Sequence, residues 1–374
     1  MSAAAELGRR QRNLGLDLVR ALAITLVLIT HGGNTVCSWY GCKAPVQYLP
    51  TGSLGVESFF ALSGFLIGGL LLDIIERNLG PGAWWRFMMR RWLRTLPLYY
   101  LWLAVLVIVV PPGEGHFSEI LAHATLTQNL QWPMPSDWFA VSWSLTVEEW
   151  FYLLFSVALL GGSFLTRRPR ATLWCIIAVF VVVPTAMRWM VPDSLAYGEY
   201  VRKVTLLRLD AIAYGVAVVA LCRARSRLVA RPLVLLAIGL GMVGGIVLLA
   251  YHPPPPQGHW LRTFGPTIMP LGCALCLPAA TLIERLPGFA WPVRKMSTYS
   301  YALYVSHLTV LDQLFQLRNQ WGLSAAVSTA LAVLLTFGLS VAVHRWVELP
   351  ILACRPRQFP RASGAPPWVQ PAGI

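Results

Sequence analysis

The sequence predicts an all-α, polytopic membrane protein: a helical bundle of about ten transmembrane helices with both termini in the cytoplasm. Three observations predict it. Of 374 residues, 56% are hydrophobic and only 12% are charged, about half the charged share of an ordinary soluble domain. The mean hydropathy is +0.59. Ten stretches reach the roughly 20 apolar residues that a bilayer requires, and the basic residues fall unevenly on the segments between them.

The spans are expected at 15–34, 53–73, 95–111, 139–161, 171–191, 204–222, 232–251, 264–283, 298–317 and 324–345. The basic segment 1–14 precedes the first. Such an opening can be a secretory signal, but no small-residue cleavage site follows, so the first span is read as retained. The amphipathic stretch 117–131 is too short to cross and is placed at the interface. "YHPPPPQGHW" reads as a stiff loop, and the Pro- and Gly-rich tail 351–374 as disordered. Residues 15–350 then form one membrane domain.

Charge sets the orientation. With the N-terminus inside, 22 of the 30 Lys and Arg residues fall on the inner segments and 6 on the outer ones, with Arg20 and Arg208 at or within spans. Basic residues are held on the cytoplasmic side. The net charge of +14 is therefore a topology signal, and no nucleic-acid partner is implied. The seven cysteines contain no metal-type set. Cys273 and Cys276 lie in an apolar helix and read as packing, whereas Cys37 and Cys42 share an outer loop and can pair in an oxidising compartment.

Ionisable residues at membrane depth are costly and usually line a cavity or pair with one another. In "LDLVRALAITLVLITHGG", Arg20 and His31 are eleven residues apart. At about 100° and 1.5 Å per residue they share a face, roughly 16 Å apart along the axis. The first helix thus lines something that runs through much of the bilayer. A plainer reading pairs Arg20 with Asp17 and lets His31 cap the outer helix end. Other spans carry further polar residues: Glu57, Ser58 and Ser63 in the second, Glu148 and Glu149 in the fourth, Arg208 and Asp210 in the sixth, His307 in the ninth, and Glu348 at the inner end of the tenth. Such a collection points to a polar internal site. On the inner side, the loop "RFMMRRWLRTLPLYY" sets Arg91 and Arg94 three apart on one face. Positive-inside bias accounts for the charge there, but arginine also suits bidentate phosphate contacts.

Together these stretches resemble the integral-membrane acyltransferase type 3 family, which O-acylates bacterial surface glycans and some antibiotics. Arg20 to His31 matches its Arg-x10-His motif. "GVESFFALSGFLI", "RRWLRTLPLYY", "WSLTVEEWFY", "RLDAIAYG", "STYSYALYVSH" and "VELP" match later landmarks in order, over roughly residues 13–350. Glu57 stands where the family more often has Asp, and the SGNH-hydrolase-like domain that some members append is not found. The resemblance implies ten core helices in the bacterial cytoplasmic membrane and acyl-CoA, commonly acetyl-CoA, as cytoplasmic co-substrate. It implies no resident cofactor or metal. The acceptor is an outer hydroxyl of a glycan, a lipid-linked sugar or a secondary metabolite.

On this reading Arg91 and Arg94 hold the nucleotide phosphates, Arg20 guides the pantetheine arm, and Glu57, Arg208, Asp210 and His307 surround the substrate cavity. His31 is the catalytic residue, either as general base or as a transient acyl carrier. Glu148 or Glu149 is expected to set its tautomer. The outer tryptophans Trp39, Trp132, Trp138 and Trp260 suit interface anchoring or sugar stacking. A transporter of a lipid-linked or small polar substrate, with the buried charges as a proton relay, also fits ten spans. It gives no reason for Arg20 and His31 to share a face above a basic loop. A scaffold for glycan-assembly enzymes leaves the buried acidic pair unexplained.

Overall fold

The computed structural model describes residues 13–42, 51–111, 117–251 and 258–357. The expectations for most of segment 1–14, for the proline run and for most of the tail lie outside these residues. Helices α1 (Leu14–Trp39), α2 (Thr51–Glu76), α3 (Pro81–Val109), the short α4 (Phe117–Ala124), α5 (Ser142–Thr166) and α6 (Pro169–Trp189) come first. After an irregular segment follow α7 (Asp210–Arg223), α8 (Pro232–Tyr251), α9 (His259–Ala280), α10 (Ala290–Trp321), α11 (Ala325–Val343) and the one-turn α12 (Leu349–Ala353). No strand occurs among the described residues. The chain is a polytopic helical bundle.

Each expected span has its helix. Nine segments among the described residues are long and apolar enough to cross a membrane. The remaining long helix, α10, is too polar to qualify by composition, and it buries the polar residues Ser297, Ser300, Ser306 and His307 along with apolar ones. α3 begins earlier than the sequence predicts. The arginine-rich stretch expected as a loop is helical and continuous with the span, and Pro97 lies inside the helix. Proline removes one backbone donor, yet the helix runs on through it to Val109, packed against α5 and α10.

α2 is the axis of the bundle and packs on α1, α7, α9 and α5. Apolar association alone cannot drive helices together in lipid, so small residues that admit close backbone approach matter. A Cβ on Gly64 would collide with the Ile212 carbonyl of α7, and one on Gly215 with the Ala61 carbonyl of α2. α1 is anchored by Asn13, whose side chain accepts from Leu16 N–H at 3.0 Å and donates to the Thr281 carbonyl beyond α9 at 2.9 Å. At the other end of α1, Cys37 and Cys42 form a disulfide with Cα atoms 5.0 Å apart.

Candidate active site

Four helices, α1, α2, α3 and α10, together with α5, enclose a narrow cavity of about 100 Å³. Arg20, Arg91, Arg94, Glu148, Ser63 and Tyr304 are among its walls. Residues from five separate stretches of sequence thus converge on one space. Arg20 reaches it while also keeping its local partner. Its Nη1 lies 3.4 Å from Asp17 Oδ1 and donates to Ser297 Oγ at 3.2 Å, and Ser297 in turn donates to the same carboxylate at 2.6 Å. The plainer reading of Arg20 as Asp17's partner and the cavity reading therefore both hold.

The cationic end of the cavity is larger than the sequence indicates. Arg90 Nη1 donates to the Pro356 carbonyl at 2.6 Å, tying the segment after α12 to α3. This brings Arg355 beside the Arg90–Arg94 face. Burial and the neighbouring Arg94, Arg91 and Arg90 push its guanidinium down to about 9. Glu348 opposes them. A cluster of cations in a partly desolvated setting favours a bound anion, because each guanidinium then recovers a charge-assisted hydrogen bond.

The acidic pair divides. Glu148 lines the cavity, accepting from Tyr152 at 3.1 Å, and the Tyr152 hydroxyl is itself bonded to Ser63. Glu149 is outside the cavity lining. It is buried against α3, where the Thr95 hydroxyl donates to its Oε1, and its Oε2 has no hydrogen-bond partner. Neither carboxylate touches His31, contrary to the sequence expectation.

His31 is bonded instead to His307 of α10, Nδ1 to Nε2 at 3.3 Å, with ring centroids 5.0 Å apart. His307 is completely buried. Neither histidine lines the cavity; Tyr304 is the link. It borders the cavity, its ring centroid is 6.1 Å from that of His307, and its hydroxyl is 2.6 Å from Ser144 Oγ.

Arg208 and Asp210 do not line the central cavity as expected. Arg208 is fully buried, and its Nη2 meets both oxygens of Glu57 at 2.5 and 2.6 Å. Asp210 is fully buried and gripped by Arg188 at 2.9 and 2.7 Å. Unpaired charges in hydrocarbon are too costly to persist, and these two have found partners on other helices. Glu57 also borders a second cavity of about 120 Å³ with Tyr197, Arg202 and Arg262.

Sequence reasoning missed Arg202, Tyr304 and Tyr152. Arg202 lies 5.2 Å over the Trp143 ring, and the Asn129 amide holds its neighbouring Lys203 carbonyl at 2.6 Å. It also borders the second cavity beside Glu57. Its only sequence signal was a basic residue on the side expected to be basic-poor. Tyr152 and Tyr304 lie within the motif stretches "WSLTVEEWFY" and "STYSYALYVSH", but nothing in those stretches marks their hydroxyls as cavity groups. Of the tryptophans, Trp39 is buried, which removes it from both proposed roles, while Trp132 and Trp260 are exposed.

A family profile for an acyltransferase domain matches residues 13–345. The chain is 24% identical over 374 residues to the peptidoglycan O-acetyltransferase OatA of Listeria monocytogenes, covering 90% of this chain and 55% of that one. It is 25% identical to the putative peptidoglycan O-acetyltransferase YrhL of Bacillus subtilis, covering 93% and 56%. It is 24% identical to the O-acetyltransferase OatA of Staphylococcus aureus, covering 90% and 57%. The chain thus spans little more than half the length of these relatives. No solved structure matches it.

Proposed function

The chain belongs to the acyltransferase-domain family whose profile runs along nearly all of it, and from that premise we propose that it is a membrane-bound O-acyltransferase. It moves an acyl group, acetyl by analogy with its relatives, from cytoplasmic acyl-CoA to a hydroxyl of a glycan or glycolipid acceptor at the outer side of a bacterial cytoplasmic membrane. Relatives named for peptidoglycan acetylation support a glycan as acceptor.

The observation that carries the reading is the single cavity bordered by Arg20, Arg91, Arg94 and Glu148. The planar forks of Arg91 and Arg94 suit the nucleotide phosphates. Arg20, held by Asp17 and Ser297, lies along the path of the pantetheine arm. The thioester then approaches Tyr304 and the histidine pair behind it. There His31 takes the proton of the acceptor hydroxyl, and the hydroxyl oxygen attacks the thioester carbonyl. The carbon–sulfur bond breaks, and the leaving thiolate takes the proton back from the imidazolium. General-base help of this kind contributes about 10²- to 10⁴-fold.

The test is transfer of label from radiolabelled acetyl-CoA to a lipid-linked glycan by purified protein in liposomes. Transfer is expected from the native chain and is lost in His31→Ala, with protein still present in the membrane. Undiminished transfer by His31→Ala would overturn the role of His31. A native protein that carries glycan across the bilayer without consuming acetyl-CoA would overturn the enzymatic reading.

A further inference from the structure

The hydrogen bonds around His307 fix more than its own orientation. Its Nδ1 lies 2.8 Å from the Tyr304 carbonyl and 3.1 Å from the Leu303 carbonyl. Carbonyl oxygens only accept, so Nδ1 of His307 carries a hydrogen. The ring is completely buried, and its hydrogen-bond partners among the described residues are two carbonyls and His31, with no carboxylate. A cation there would be desolvated without a counter-charge, so the ring is neutral and its Nε2 is an acceptor. The atom facing that acceptor at 3.3 Å is Nδ1 of His31. It must therefore donate.

We infer that His307 is a positioning residue that commits His31 to the tautomer with hydrogen on Nδ1, leaving Nε2 as the nitrogen whose lone pair reacts. The chemical meaning of this rests on the transfer reaction proposed above, although the tautomer itself does not. The arrangement does with a second imidazole what a carboxylate does in many histidine sites: the far ring nitrogen is fixed by the bond the near one makes. When Nε2 takes the acceptor's proton, His31 becomes an imidazolium whose Nδ1–H stays bonded to His307 Nε2. The developing charge is thus stabilised by a neutral acceptor, and the proton on Nε2 is the one returned to the CoA thiolate. No proton leaves the pair toward the backbone.

Two measurements test it on the full chain in lipid nanodiscs. The first is solid-state nitrogen NMR of protein labelled with nitrogen-15 in histidine, with His31→Gln identifying the His31 signals. Nδ1 of His31 is expected to be of the protonated type and Nε2 of the unprotonated type. The reverse assignment overturns the inference, whatever the protein does with acetyl-CoA. The expected spectrum from a protein that fails to transfer acetyl would leave the inference standing and remove the functional reading instead. The second measurement is kinetic. His307→Leu, which cannot accept, should lower kcat roughly 10²-fold with an unchanged KM for acetyl-CoA. His307→Gln, whose amide oxygen can accept, should recover about tenfold of that loss. Equal losses in the two variants, with both folded, would mark His307 as packing and overturn its positioning role.

Discussion

Glu148 and Glu149 are consecutive in the chain but meet different neighbours: the carboxylate of Glu148 borders the central cavity, and that of Glu149 is buried one hydrogen bond behind it, against the cavity-lining Thr95 of α3. Successive helical residues are turned by about 100°, so the two carboxylates take different hydrogen-bond partners. Glu148 is coupled through Tyr152 to Ser63 of α2, on the cavity wall. Glu149 is coupled to the arginine-bearing helix and contributes to how α3 and α5 pack.

The pair should therefore separate on substitution. Glu148→Gln removes the negative charge from the cavity and is expected to lower the turnover of acyl-CoA at least about tenfold, with the protein still folded. Glu149→Gln keeps an oxygen that accepts from Thr95 and is expected to remain close to native turnover. Steady-state assays of both variants in one detergent preparation check this. Greater sensitivity at Glu149 would move the chemistry to the α3 side.

Arg91 and Arg94 should be needed for donor binding. Hydrogen bonds to charged groups are worth about 1.5–3 kcal/mol, so each Arg→Ala change should weaken CoA binding roughly tenfold to a hundredfold. Arg→Lys should fall in between, since the ammonium lacks the planar fork. Calorimetry with CoA measures it, and the native affinity should drop as salt is raised. Unchanged affinity in the double Ala variant would place the phosphates elsewhere.

The Glu57–Arg208 pair should behave as structure. Removing one partner of a buried ion pair costs about 3–5 kcal/mol, whereas replacing both with apolar residues is often neutral. Among the described residues Nε and Nη1 of Arg208 are buried without hydrogen-bond partners, so its side-chain hydrogen bonds there all go to Glu57. Arg208→Met alone should lower the thermal midpoint in detergent, and Glu57→Leu/Arg208→Met should recover most of it. A double variant that is stable yet inactive would show that Glu57 also serves the cavity it borders.

The disulfide offers a test of orientation. With the N-terminus inside, Cys37 and Cys42 face the outer side. In intact cells a membrane-impermeant maleimide should label them only after reduction. The exposed Cys354 should label only after the membrane is opened, in a Cys175→Ser background. The opposite pattern would invert the topology.

The sequence determined the helices and their contents. Apolar runs of bilayer length can scarcely be anything else, and the spacing from Arg20 to His31 placed both on one face because a helix's periodicity is local. The motif order was enough to show the family. Tertiary structure decided which residue each polar group meets. His31 found His307, 276 residues away, rather than either glutamate. Asp210 found Arg188, and Arg208 found Glu57. Periodicity says which residues share a face of one helix, but not which helix lies opposite. That choice follows from close backbone approaches such as Gly64 and Gly215 between α2 and α7, and the apolar spacing within a span carries no record of it.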